Sequence, residues 1–548
     1  MSTTTPDPKT SQAENAAAPA ASRRTLQGWL LVILVFVAGA ASLAVEMAAS
    51  RLLAPYFGTS LFVWANVIGL ILLYLTVGYY VGGRLADRVP KAWGLYLITT
   101  IAAFSIGLIP FISRPILSWS LSSFSTYSIS VFYGSLVSVI LLFALPIILL
   151  GCVSPYAIRL SVNQVGSSGR TAGMLYAIST AGSMLGTFIP VLWLIPTVGT
   201  YRTFLITSAT LLLVSVIGLV VSGRHNRRST GFNKNFLFFL LFVPLSLTLL
   251  GLRGPIKPAD GTNGGGRLIA ERESAYNYMQ VVQANQETQL ILNEGVGIHS
   301  IYSPSRVLTG GPWDYFLAAP YFNNYPYTPD RLKSVCVIGL GAGTIPNELT
   351  QVYGNIPIDG VEIDPEIVTM GRTYFHMNEP NLHVIVQDGR YYLRTTPKKY
   401  DMVAIDAYQQ PYVPFQLATS EFFGEVRSHL TPQGVAVINA GRTGSDFRLV
   451  EALAQTMRSV FPNVYIINTQ RFANSLIIAT NDHTSIDNFT KNIAPLTNPY
   501  LQDIGQISIA TGDIRQETHA QVYFSDDKAP VEQLIDQIIF DYVTKPGK

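Results

Sequence analysis

Of 548 residues only 13% are charged, and two are cysteine. Cys152 and Cys336 belong to no CxxC pair, which argues against a disulfide framework and a zinc-thiolate site. The seven histidines show no HxxxH or comparable spacing, so no metal is expected. A net charge of +3 is too small and too dispersed to argue for nucleic acid as a partner. The scarcity of charge is uneven. The positive mean hydropathy comes mostly from the first 252 residues, and the remainder has the balance of an ordinary α/β protein. The length allows about three domains.

Residues 1–24 are rich in Ala, Ser, Thr and Pro and read as a disordered tail. Spanning a bilayer takes about 20 apolar residues. Seven stretches qualify, near 28–49, 62–83, 92–113, 129–151, 172–197, 202–222 and 234–252. No soluble core could bury seven such helices in succession, so residues 25–253 are expected to be a transmembrane bundle in contact with lipid. The first is too long for a signal peptide and is expected to be retained. Arg23 and Arg24 precede it, and Arg84, Arg88, Lys91, Arg159, Arg170, Arg224, Arg227 and Arg228 fall in alternate loops. The positive-inside rule puts those loops and the N-terminus in the cytoplasm. Seven spans then leave the C-terminal half outside, where a cytosolic cofactor is out of reach; a re-entrant segment or one span fewer would reverse that. Glu46 and Arg51, close together near the end of the first span, are expected to form an interfacial pair, with a ligand gate as the alternative.

After a Gly/Pro-rich linker, 254–267, Tyr276–Gln283 and Thr288–Gly295 alternate like the strands of a hairpin. They define a small β module over 268–310, and a helix is expected over Trp313–Phe322. From 311 to 548 the pattern is doubly wound. Ser334–Leu340, IDGVEID, KYDMVAIDA and GVAVINA are apolar enough for buried strands, with helical segments Ile345–Val352, Pro365–Phe375 and Ser420–His429 between them. Such alternation predicts a Rossmann-like parallel sheet with ligands at the carboxyl ends of its strands.

Gly339, Gly341 and Gly343 form a GxGxG loop between a strand and a helix, where backbone can approach a ligand closely. Glu362 ends the next strand, placed to accept both hydroxyls of a ribose. Asp388-Gly389 follows the third strand, a place for an adenine amine, and Asp406 ends the fourth. A dinucleotide loop would normally carry glycine where Thr344 stands, to seat a pyrophosphate. The spacing therefore favours an S-adenosyl compound over NAD.

The pieces VIGLGAGT, GVEIDPEIVTMGRTYF, VQDGRYYL, YDMVAIDAY and PFQLATSEFFGEVRSHLTPQGVAVIN resemble the spermidine synthase family of polyamine aminopropyltransferases over about 268–480. GAASLAVEMAASRLLAPYFGTSLFVWANVIG looks like the helical domain fused to such proteins in bacteria, which implies a multi-pass protein of the bacterial inner membrane. Gly82–Arg88 also resembles a cytoplasmic loop motif of major facilitator transporters; the alternative is a turn that anchors a helix end. The family resemblance implies transfer of an aminopropyl group from decarboxylated S-adenosylmethionine to putrescine or a related amine, leaving methylthioadenosine. By position Glu362 would bind ribose, Asp388 adenine, and Asp406 would accept the proton. Asn277, Asp314, Tyr408 and Gln409 would lie around the acceptor.

The chain departs from the family at its cation-binding acids. Ala342 and Gln409 stand where the family has Asp, Tyr276-Asn277 replaces Tyr-Gln, and Trp313-Asp314-Tyr315 replaces Tyr-His-Glu. Asp314, Asp526 and Asp527 are candidates to restore the charge, although the latter two also suit a helix start. Two other readings follow from the departures: an S-adenosylmethionine-dependent enzyme, such as a methyltransferase, with another acceptor, and a transporter or sensor of amines with a nucleoside-binding regulatory half. Homo-oligomerisation is left open.

Overall fold

A computed structural model describes residues 25–57, 61–126, 131–162, 168–223, 266–293, 297–408, 413–510 and 514–544. Among these, six helical segments are long and apolar enough to cross a membrane: Gln27–Ala54, Val63–Arg88, Ala92–Ser120, Tyr133–Ser161, Ser168–Val198 and Thr200–Ser222. The expected seventh, 234–252, lies outside the described residues. Glycine lets the helices approach backbone to backbone. Gly182 and Gly186 meet the backbone of Phe36 and Ala40, so the first and fifth spans run parallel. Gly82 packs against Cys152, and Asn66 Nδ2 donates to Ser135 Oγ at 2.9 Å, so the second and fourth do too. Ser208 reaches the Ala103 carbonyl and Ser215 reaches Thr99, which makes the third and sixth antiparallel. The Gly82–Arg88 motif is helical to Arg88 and anchors a helix end, with Asp87 on Arg159 at 2.9 Å.

This alternation gives the bundle two faces. The start of the first span, the turn at 89–91 and the end of the sixth, Gly223, share one face. Arg51, near the end of the first span, and Thr200, at the start of the sixth, share the other. The soluble half docks on this second face. Glu273 accepts from the Thr200 N–H at 3.0 Å and from its hydroxyl, and lies 3.9 Å from the Arg51 guanidinium. Arg51 also donates to the Ser274 carbonyl at 2.5 Å and the Tyr276 carbonyl at 3.1 Å. Its partner is therefore Glu273 rather than Glu46, five residues away in its own helix; the soluble half supplies both a carboxylate and carbonyls, which satisfy more of the guanidinium's donors than one carboxylate can. Burial pushes the Glu273 carboxyl up, and Arg51 opposes that shift.

Four antiparallel strands, β1 (Arg267–Glu273), β2 (Tyr278–Ala284), β3 (Glu287–Leu292) and β4 (Ile298–Tyr302), form a sheet in sequence order, where the sequence pattern had shown two strands. The expected helix over Trp313–Phe322 is broken into an α-turn, Pro312–Phe316, and a 3-10 turn, Ala319–Phe322. Pro320 has no N–H to continue the ladder. Next come β5 (Val335–Ile338), β6 (Ile358–Glu362), β7 (Leu382–Val386), β8 (Tyr400–Ile405), β9 (Leu430–Gly441), β10 (Asn463–Asn468), β11 (Asn474–Thr480) and β12 (Ile514–Glu517). They make one sheet of order β12-β10-β11-β9-β8-β5-β6-β7. β5 to β9 are parallel, as the alternation of strands and helices predicts, but β10, β11 and β12 are antiparallel. The link from β10 to β11 is too short for a crossover helix, so that pair can only be a hairpin. The strand order reverses at β5, which puts the ligand crevice at its carboxyl end.

Because Arg51 holds the turn between β1 and β2, Arg51→Leu is expected to loosen residues 274–277. Faster amide exchange confined to that turn checks this; unchanged exchange would show that the turn holds itself.

Candidate functional site

β5, β6 and β8 end side by side, and the glycine loop covers their ends. Gly339 (φ +82°) lies so close to β8 that a Cβ would come within 2.6 Å of the Ala407 backbone and the Asp406 carbonyl. Gly341 (φ +56°) abuts Ser300 of β4. Gly343 (φ +95°) begins the helix Thr344–Tyr353. L-residues with side chains avoid these φ values, and a Cβ at any of the three would come within 3 Å of a neighbouring atom.

Glu362, at the end of β6, accepts from the Gly341 N–H at 2.9 Å and the Asp364 N–H at 3.1 Å. Burial pushes its carboxyl up to about 7, against the pull of those N–H groups. Asp388 caps the helix Gly389–Thr395 by accepting from the Tyr391 N–H at 2.9 Å. Gly389 packs where a Cβ would strike Ile338. Asn277 donates to Asp364 at 3.0 Å and accepts from Asn293 at 3.0 Å. Gly339, Gly341, Glu362, Asp388, Gly389, Asn277, Asp406 and Tyr408 all line one cavity of about 170 Å³.

Among the described helices, none is capped by Asp406. One carboxylate oxygen accepts from Trp313 Nε1 at 2.9 Å and the other from Asn439 Nδ2 at 2.8 Å. Asn474 Nδ2 in turn donates to Asn439 Oδ1 at 2.9 Å, fixing which way that amide points. Burial pushes the Asp406 carboxyl up to about 7, and the two donors oppose the shift. A carboxylate so held keeps a lone pair for a further proton at a pKa near neutrality. Asp406, Tyr408 and His299 also line a second cavity of about 350 Å³, so the two cavities meet at this residue.

Several expected residues fall elsewhere. Asp314 is buried and turned into its own loop, where its carboxylate accepts from the Thr309 N–H (3.0 Å), the Thr309 hydroxyl (2.7 Å) and the Gly310 N–H (2.8 Å). It therefore cannot restore the missing charge. Asp526 is bound to Arg390 at 2.7 Å and accepts from the hydroxyl of Thr419, the N-cap of the helix Ser420–Ser428, and it lines neither cavity. Ala342 packs with Met279, Leu290 and Met370, between the first sheet and the helix Pro365–Tyr374. Gly343 lines neither cavity. Gln409 lies outside the described residues. Sequence reasoning missed Asn439, Asn474 and His299. A buried asparagine in the otherwise apolar run GVAVINA was the available signal.

Residues 323–491 match the family model described as the spermine/spermidine synthase domain. A protein of Bifidobacterium longum named "Probable polyamine aminopropyl transferase" is 33% identical over 295 residues, which is 50% of this chain and 64% of that protein. Polyamine aminopropyltransferases of Vibrio vulnificus (34% identical; 27% of this chain, 48% of that protein) and Mycobacterium tuberculosis (26% identical; 54% and 57%) are also similar. The chain thus covers less than two thirds of each of these relatives. A crystal structure of a spermidine synthase with the transition-state analogue AdoDATO is 18% identical, with a TM-score of 0.37, over 44% of this chain and 85% of that one.

With Glu362 as the ribose acceptor, Glu362→Gln is expected to weaken binding of methylthioadenosine by ~1–3 kcal/mol, the cost of losing a charged hydrogen-bond acceptor. A ligand that prefers the ionised carboxylate lowers its pKa on binding. Affinity for the wild type should therefore fall as pH drops through about 7. Calorimetry across pH checks both; a flat profile with an unaltered variant would contradict the assignment.

Proposed function

We propose that the soluble half, which carries a spermine/spermidine synthase domain, is an aminopropyltransferase that uses decarboxylated S-adenosylmethionine and a small amine. The observation that carries this reading is the position of Asp406, shared by a cavity lined with nucleoside-type acceptors and a second cavity open for the attacking group. In the proposed reaction the lone pair of a neutral amine forms the new N–C bond at the carbon beside the sulfonium. The C–S bond breaks with its electrons to sulfur, releasing methylthioadenosine. Asp406 takes the proton that the amine loses. The leaving group is already good, so this chain's residues contribute position and a base. Glu362 and the glycine loop would hold the sugar, Asp388 and Gly389 would face the base, and Trp313 and Asn439 would keep the Asp406 carboxylate aimed.

We infer further that the cytoplasm lies on the side of the N-terminus and the soluble half on the other. Arg84, Arg88, Lys91, Arg159 and Arg170 lie on the N-terminal face, against Arg51, Arg114 and Arg202 towards the other. Glu273 docks at Arg51 and Thr200 on the less basic face, while the sixth span ends on the basic one. The apolar stretch 234–252 of the sequence is long enough for the further crossing this orientation calls for, and the orientation requires that donor and acceptor reach the far compartment.

Asp406→Asn is expected to abolish turnover while leaving nucleoside affinity within about tenfold, since a proton acceptor acts in the transition state. Wild-type activity should fall as pH drops through about 7, where Asp406 takes up a proton. Trp313→Phe removes a donor that favours the charged form, so its pH–rate limb should move to higher pH; the amine's own titration is common to both enzymes. An unmoved limb, or methyl transfer from intact S-adenosylmethionine in place of aminopropyl transfer, would overturn the reading. For sidedness, a C-terminal alkaline phosphatase fusion is expected to be active and a C-terminal green fluorescent protein fusion dark. The opposite pattern would refute the orientation.

A further inference from the structure

The second cavity opens from Asp406 between the end of β9, the Phe472 loop and the helix Val531–Thr544. Among its described lining residues Asp406 is the one carboxylate, and its two oxygens already accept from Trp313 and Asn439. Away from Asp406 the large apolar side chains of the wall are Leu449, Phe472, Ile535 and Ile538, with Thr443 and Asn474 among its polar ones. Its one cationic side chain is Arg442, held by the Asn474 and Thr469 carbonyls and lying 5.1 Å over the Phe447 ring.

Four described carboxylates have partners away from this wall. Asp446 and Asp541 both bind Arg448, Asp526 binds Arg390, and Asp314 is enclosed by its own loop. A diamine entering with one neutral amine at Asp406 would push its second, charged ammonium among alkyl side chains and towards a guanidinium. Burying an unpaired ammonium there is costly, and a like charge adds to the cost. A hydrocarbon chain in the same place loses water from its surface and gains close packing.

Resting on the aminopropyltransferase reading, we propose that the acceptor is an amine with a single ammonium and an apolar tail, the amine at Asp406 and the tail along Leu449, Ile535 and Ile538. The product would be the N-(3-aminopropyl) derivative of that amine, with one N–C bond formed, one C–S bond broken and the displaced proton on Asp406. The loss of the family's acidic positions and the apolar wall are then two sides of one change in acceptor.

The test compares hexylamine with 1,6-diaminohexane, which differ only in the second amine. Each is titrated calorimetrically into the full-length protein saturated with methylthioadenosine. Hexylamine is expected to bind at least tenfold more tightly, and Ile535→Glu, which offers a carboxylate to the distal ammonium, to reverse the order without touching Asp406. Nucleoside binding by the variant checks that it is folded. Equal or tighter binding of the diamine by the wild type, or binding of neither amine, would overturn the proposal. Release of methylthioadenosine from decarboxylated S-adenosylmethionine is followed in parallel. Its absence with both amines would sink the transferase reading while the calorimetric preference still decides the shape of the acceptor.

Discussion

The close approach of Gly339 to the backbone after β8 is the constraint on which the rest of the soluble half depends. A side chain there would collide with Ala407, push the loop off β8 and separate Glu362 from Asp406. With glycine in place, the Gly341 N–H bonds to Glu362, and three strand ends deliver their acids to one crevice. Glu362 is buried and Asp406 half-buried, and burial raises both carboxyls to about 7. The two then differ by their neighbours. Glu362 faces backbone N–H groups and suits a ligand's hydroxyls, whereas Asp406 is gripped by two side-chain donors at the meeting point of two cavities and suits a proton in transit.

Among the described residues, a short turn ties the helical half to this crevice. Arg51 and Thr200 hold Glu273 and the carbonyls of Ser274 and Tyr276, and Tyr276 and Asn277 are part of the wall of the cavity that Glu362 lines. Asn277 is locked in turn to Asp364, which caps the helix after β6. The anchor and the binding wall are therefore one continuous hydrogen-bonded stretch.

Much of this was readable in the sequence, for physical reasons. Glu362, Asp388 and Asp406 each follow a short apolar run, and in a parallel sheet the residue after such a run sits at the ligand edge. The six described spans announce themselves by length and apolarity. What stayed hidden depends on pairing between distant segments. Asn439 and Asn474 meet because β9 and β11 pair in one register, and no local pattern reports that. Arg51 has an acidic neighbour five residues away, so the sequence suggested Glu46, yet its partner is Glu273, brought to it by docking of the two halves. Asp314 had the right charge at the right place in the chain, but the Thr309–Gly310 turn consumes its carboxylate. Charge can be counted from a sequence; which group it faces cannot.

The claim beneath all of this is that the crevice at the end of β5 receives a thioether- or sulfonium-bearing adenosine in one orientation. An experimental structure of the full-length protein with methylthioadenosine tests it most directly. The account predicts the ribose hydroxyls on Glu362, the adenine beside Asp388 and Gly389, and the sulfur directed to the side where Asp406 lies. A nucleoside bound elsewhere, or lying with its sulfur away from Asp406, would contradict it.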